Sequence, residues 1–272
     1  MQCRPDGNFF DRSTEEADMT HWTETLFREQ ADRYVDFFEQ RFEAADEQAE
    51  ALLALVATEY DADPKTALDL ACGTGRHVFA FADRGVDAEG LDFSESFVER
   101  ARATAAERDL PGSVAFHEHD LRELDEWTGS YDLVTSFWNS LGYYDRETDE
   151  RILANAHRLL SEEGVLVIET SNKHSDLRDF EPASVSENNR LFVERRDYDV
   201  ETGRFHTTLD RFDATGEGYE YEYSMEWENR IYAPAVLREL CEDAGFDDVR
   251  LFGGFDGETV TLDSDSVVVL AQ

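Results

Sequence analysis

The sequence predicts an α/β fold, a mostly parallel sheet with helices on both faces, and three observations predict it. Short apolar runs alternate with helix-length stretches from residue 64 to about residue 182. The first run ends in a glycine turn that leads straight into a helical stretch. After residue 185 the rhythm changes to a period of two, the mark of antiparallel strands.

Before the sheet, residues 14–60 read as helical. Trp22, Leu26, Tyr34, Phe37, Phe38 and Phe42 recur at three- and four-residue spacing among acids and arginines. A second helix over 48–60 carries Leu52, Leu53, Leu55 and Val56, and Asp63 with Pro64 breaks it. A strand over 66–71 follows, then a helix over 76–84. The next strand, 87–91, ends in Asp92, and a helix over 94–108 has Ser94 in its N-cap position. Pro111 and Gly112 make a turn. Strands are expected over 114–118 and 132–137, a helix over 147–160 ended near Gly164, and a fifth strand over 165–170.

The period-two segment predicts a three-stranded antiparallel insert with turns at 201–203 and 215–218. Tyr219, Tyr221, Tyr223 and Met225 share one face of it. A helix over 234–244 starts with proline and is followed by Gly245. Strands over 248–252 and 266–270 are joined too closely for a crossover helix, so they should pair antiparallel. The expected units are a helical cap (1–63), a core (64–182), an insert (183–232) and a segment completing the core sheet (233–272).

Charge is the unusual part of the composition. Acids number 63 against 25 lysines and arginines, a formal net of -38, and Lys65 and Lys173 are the only lysines. A chain this acidic repels itself unless salt screens it, which points to a high-salt cytoplasm or, in the other reading, to a basic partner. The charge disfavours a nucleic acid as substrate. No run reaches the ~18 apolar residues of a membrane span, and residues 1–11 do not read as a secretory signal. Cys3, Cys72 and Cys241 form no metal-ligand spacing, and His117 with His119 lacks a third ligand, so no metal is expected.

The motif that carries chemistry runs from Asp69 to Gly75 (DLACGTG), between a strand and a helix. Glycines let the backbone approach a ligand, and the helix start favours its negative part. Asp92 lies at the next strand tip, where a carboxylate can accept both hydroxyls of an adenosine ribose. A dinucleotide fingerprint requires a third Gly or Ala where this chain has Val78, and a carboxylate at Asp69 suits an ammonium better than a pyrophosphate.

LDLACGTGRH, GLDFS, HDLREL, YDLV and LLSEEGVLVIET, in that order, resemble the blocks of class I methyltransferases that use S-adenosylmethionine (SAM). The resemblance covers about residues 66–170. The helical start, the insert and the ending FGGFDG…SVVVLA are similar to a small-molecule-type subgroup. It implies a Rossmann-like seven-stranded sheet with its last strand antiparallel. It also implies that Asp69 contacts the methionyl amine, that Ala71, Gly73 and Gly75 line the methionyl carboxylate and ribose, and that Asp92 binds the ribose hydroxyls. Phe93 would pack on the adenine, Asp120 cap its amino group, Leu121 lie against the ring, and Phe137 lie beside the methionyl tail. Ala71 stands where the family has glycine. Arg76 would either approach the SAM carboxylate or cap the helix surface.

Methyl transfer from a sulfonium is an in-line displacement that needs alignment and exclusion of water, and a base only if the acceptor must lose a proton first. The loop SFWNSLGYY resembles that of small-molecule N- and O-methyltransferases, and makes Asn139 and Tyr143 acceptor contacts or plain loop residues. No catalytic base stands out. Glu169 and Asn172 either touch substrate or hold a loop. The cap and insert are expected to cover the carboxyl edge of the sheet over a small acceptor. A SAM-binding protein without catalysis and a nicotinamide oxidoreductase are the competing readings.

Overall fold

The computed structural model describes residues 21–33, 35, 42–178, 180–187 and 189–272. The expectations for residues 14–20, Tyr34, Phe37, Phe38 and Cys3 lie outside the described residues.

Seven strands form the main sheet: β1 (Thr66–Leu70), β2 (Asp87–Asp92), β3 (Val114–Glu118), β4 (Tyr131–Ser136), β5 (Leu160–Ser171), β10 (Val249–Phe252) and β11 (Ser266–Ala271). Their order is β10-β11-β5-β4-β1-β2-β3. The pairs among β1 to β5 are parallel. β11 runs antiparallel to both β5 and β10. Strand alternation sends Leu68, Leu166 and Ile168 to one face and Ala67, Val165 and Val167 to the other, all buried. The first face packs on α4 (Arg146–Leu159) and α6 (Pro234–Asp243) through Ile152, Leu153, Leu237 and Leu240. The second packs on α1 (Phe42–Tyr60) and α2 (Arg76–Ala82) through Leu52, Val56, Phe79 and Phe81. α3 (Glu95–Ala106) connects β2 to β3, and a short α5 (Lys173–Arg178) follows β5.

The second sheet has four strands, not the expected three: β6 (Ala183–Glu187), β7 (Arg190–Asp199), β8 (Arg204–Thr215) and β9 (Gly218–Asn229). β6 is an edge strand of small and polar residues with Val185 exposed, so its apolar pattern is weak and only its backbone pairing with β7 defines it. The tyrosine stripe is split. Met225 is buried at its base, while Tyr219 and Tyr221 are exposed at its tip.

Three other boundaries differ for local reasons. The first helix is not continuous. A turn of α-helix (Trp22–Glu24) widens into a π-helical turn (Thr25–Glu29) and is interrupted at Gln30, whose φ of -113° leaves the helical region, before residues 31–33 and 35 turn helical again. α1 begins at Phe42, six residues before the expected start. α4 passes straight into β5 at Leu160, five residues before the expected strand, and the β4–β5 register shifts between Tyr131 and Leu133. Among the described residues no helix is long and apolar enough to cross a membrane.

Candidate functional site

The sheet order reverses between β1 and β4, and a cavity opens there, at the carboxyl ends of β1, β2 and β4. Asp69, Ala71, Gly73, Arg76, Asp92, Phe93, Asp120, Leu121, Phe137 and Tyr143 all line it.

The loop after β1 turns through left-handed backbone at Ala71 (φ 58°), Gly73 (φ 57°) and Gly75 (φ 85°). The two glycines do different work. A Cβ on Gly73 would meet no protein atom within 4 Å, so its open side faces ligand space. A Cβ on Gly75 would lie 2.4 Å from the Phe116 ring. Gly75 is absent from the cavity lining, and helix–strand packing is what requires it. Ala71, read as a simple small substitute, in fact holds a conformation that disfavours a Cβ.

Asp69 and Asp92 are both buried. Asp69 Oδ1 accepts from Thr135 Oγ1 at 2.7 Å. Burial pushes its carboxyl up to about 7, against the Thr135 bond and the Arg76 charge, with Asp92 adding to the rise. Asp92 accepts from Gly73 N at 2.8 Å and Ser94 N at 2.9 Å. Burial pushes it to about 6 against those two bonds. Ser94 stands in the N-cap position of α3 as expected, but its hydroxyl donates to Phe27 O and not to the helix amides, tying the N-terminal turn to the core.

Arg76 is buried, 5.0 Å over the Trp138 ring, so the surface-cap reading fails. His77 beside it is held neutral by burial and then by the Arg76 charge, and its Nε2 lies 3.0 Å from Gln48 Oε1. Its ring lies 3.9 Å from that of Phe137. Asp120 starts a 3-10 turn and grips the Arg122 guanidinium at 3.0 and 2.5 Å. Burial opposes ionisation of Asp120, but the Arg122 bonds hold it below the usual carboxylate range. Phe93 meets Phe27 edge-on at 6.1 Å, with Arg28 over its ring.

Asn139 does not line the cavity. Its Oδ1 accepts from Thr170 Oγ1 (2.6 Å) and Ser171 N (2.7 Å), and its Nδ2 donates to Ser171 Oγ (3.1 Å). The acceptor reading of Asn139 is therefore replaced by a structural one: it pins a loop in which Trp138 and Asn139 both have positive φ. Glu169 and Asn172 also hold loops. Glu169 accepts from Trp138 N, and Asn172 donates to Thr261 O and Ser264 O. His117 and His119 flank the Trp127 ring, and His119 reaches the cavity. Cys72 is buried, its sulfur 2.6 Å from where a Gly90 Cβ would stand.

Sequence reasoning missed Phe27, Phe97, Trp138 and Tyr144 as lining residues. Tyr144 could have been found as the second aromatic of the SLGYY loop. Phe27 carries no local signal; it arrives from a distant turn buried between the insert residues Leu209 and Met225 and the core residue Phe97. Among the described residues, the insert contributes nothing to the lining and acts by bracing that turn.

The chemistry of this donor set fits SAM. Two buried carboxyls at adjacent strand tips suit an ammonium and a pair of hydroxyls, Arg76 suits a carboxylate, and aromatic rings suit an adenine. Residues 67–164 match a family model described as a methyltransferase domain. A putative methyltransferase from Geobacillus is 30% identical over 125 residues, 46% of this chain and 49% of the relative. The chain thus spans about half the length of that relative. Glycine/sarcosine N-methyltransferase of Parasynechococcus marenigrum is 27% identical over 196 residues, 70% of this chain and 66% of that one. The crystal structure of a SAM-dependent methyltransferase from Clostridium acetobutylicum superposes with a TM-score of 0.74 at 15% identity, covering 89% of this chain and 98% of that one. The match over 67–164 identifies a methyltransferase domain there, and the sheet with its switch-point cavity has the fold of the class I, SAM-dependent methyltransferases.

Proposed function

We propose that this chain moves the methyl group of SAM to a nitrogen or oxygen of a small-molecule acceptor by in-line displacement. The observation that carries the reading is the pair of buried acids, Asp69 and Asp92, facing one cavity beside the open side of Gly73. In this reading Asp69 takes the methionyl ammonium, Arg76 the carboxylate, Asp92 the ribose hydroxyls, and Phe93, Asp120 and Leu121 surround the adenine. SAM supplies an already activated methyl, so the chain's own task is to align the acceptor and exclude water. Tyr143 and Tyr144 form the wall assigned to the acceptor. The similarity to a glycine/sarcosine N-methyltransferase supports nitrogen as the atom methylated. The N-terminal turn and the insert (183–232) together serve as the cap over the core (64–182), with 233–272 completing the sheet. The net charge of -38 supports a high-salt cytoplasm as the place of work, and weighs against nucleic acid as acceptor.

Calorimetry in molar potassium chloride tests the binding half. SAM and S-adenosylhomocysteine should bind, NAD should not, and Asp92→Asn should weaken both nucleosides roughly 10- to 100-fold. Binding of NAD in their place would return the chain to the oxidoreductases. Incorporation of labelled methyl from SAM into a fractionated high-salt extract tests turnover, and binding without any incorporation would leave a non-catalytic SAM protein.

A further inference from the structure

Among the described residues, four buried side-chain polar atoms lack a hydrogen-bond partner: Trp22 Nε1, Arg204 Nη1, Arg230 Nε and Asp176 Oδ2. Buried polar groups in native proteins are nearly always paired, so each exception asks for a reason. The first three are N–H donors, and all three belong to residues that clasp one short loop, 142–144. Trp22 meets the Tyr143 ring edge-on at 5.0 Å. Arg204 Nη2 donates to Tyr144 O at 2.7 Å. Arg230 N donates to Gly142 O at 2.8 Å. Tyr143 and Tyr144 in turn line the cavity, and Trp22, Arg204 and Arg230 stand behind them, outside the lining, so a ligand reaches these donors only past the two tyrosines.

The nearby acids do not satisfy these donors. Glu228 approaches Arg204 through Nε, at 3.6 Å. Asp149 accepts from Tyr232 Oη at 2.7 Å and from Gly142 N at 3.2 Å. His21, whose ring lies 5.0 Å from that of Tyr144, is held below the ordinary histidine range by burial and then by the charges of Arg122 and Arg204. In a chain of net charge -38, this corner is one where cationic groups act on their neighbours.

Donors without acceptors call for a ligand rich in acceptor oxygens, and a carboxylate or phosphate offers several while donating none. We propose that the acceptor of the methyl group carries an oxyanion, held at the 142–144 corner by Trp22 Nε1, Arg204 Nη1 and Arg230 Nε. This rests on the methyltransferase reading and narrows its substrate to an amine or alcohol bearing a carboxylate or phosphate.

The test reads the indole N–H of Trp22 directly. The chain has four tryptophans, at 22, 127, 138 and 227. The ¹⁵N-indole spectrum of the full chain, saturated with S-adenosylhomocysteine at constant molar salt, is titrated with sarcosine, inorganic phosphate and dimethylamine. Trp22→Phe assigns the signal. Sarcosine or phosphate should shift the Trp22 indole and dimethylamine should not, and whichever of the two shifts it at lower concentration identifies the oxyanion as carboxylate or phosphate. Arg204→Gln should weaken that response about tenfold, Arg204→Lys less, with S-adenosylhomocysteine affinity unchanged in both. An equal shift with dimethylamine, or none with either oxyanion while S-adenosylhomocysteine still binds, overturns the proposal. Failure of S-adenosylhomocysteine itself to bind would instead overturn the methyltransferase reading beneath it.

Discussion

The glycine-loop side of the cavity takes Asp69, Gly73 and Asp92 from one strand–turn–helix–strand unit, whereas the opposite side brings together Phe27 of the N-terminal turn and a loop at 137–144, with strands of the insert packed behind them. On the first side the groups are partnered within the unit. Gly73 N and Ser94 N both donate to the Asp92 carboxylate, and Cys72 N donates to Leu91 O at 2.9 Å. Behind the second side, buried donors on Trp22, Arg204 and Arg230 have no hydrogen-bond partner among the described residues. The difference teaches that the glycine-loop side is preorganised by short-range geometry, while the opposite side forms only when distant segments meet and, in the proposed reading, is completed by the oxygens of a ligand.

Breaking the first side at its packing should give the largest effect. Gly75→Ala drives a methyl into Phe116 at positive φ, and should cost about 3 kcal/mol in a denaturant melt. A loss under 1 kcal/mol would mean that Phe116 can move aside.

Electrostatics comes next. The Asp69 carboxyl stands at about 7 in the fold against a usual 3.8, so the folded chain binds more protons between those values. The stability it contributes is full at the acid end of that window and is lost as pH rises through about 7. Asp69→Asn should therefore be more stable than the parent by roughly 2 kcal/mol near pH 8 and nearly equal to it near pH 4. Saturating S-adenosylhomocysteine, which brings an ammonium, should shrink the gap. A gap that does not vary with pH would place the Asp69 carboxyl in its ordinary range.

On the second side, Asn139→Ala removes three hydrogen bonds from a strained loop. It should cost about 2 kcal/mol in thermal stability while leaving S-adenosylhomocysteine affinity nearly intact. Loss of affinity without loss of stability would restore Asn139 to the ligand contacts. The smallest effect belongs to Ala71→Gly, which relieves a left-handed alanine and should raise stability by about 0.5 kcal/mol.

The sequence by itself determined the strand–helix alternation, the antiparallel pairing at the end of the sheet and the acids at the tips of β1 and β2. Each depends on residues close in the chain, where periodicity, turn chemistry and strand length act directly. Tertiary structure alone decided that Gly75 packs against Phe116 and Gly73 faces open space, since two glycines in one motif look alike until their neighbours arrive. It also decided that Ser94, in the N-cap position of its helix, gives its hydroxyl to Phe27 O and not to the helix amides, that Asn139 pins a loop, and that, among the described residues, the insert braces the N-terminal turn without entering the cavity lining. The physical reason is shared. A side chain's hydrogen bonds and contacts are settled by whatever group lies nearest in space, and for residues such as Phe27 and Arg204 that group is far away along the chain.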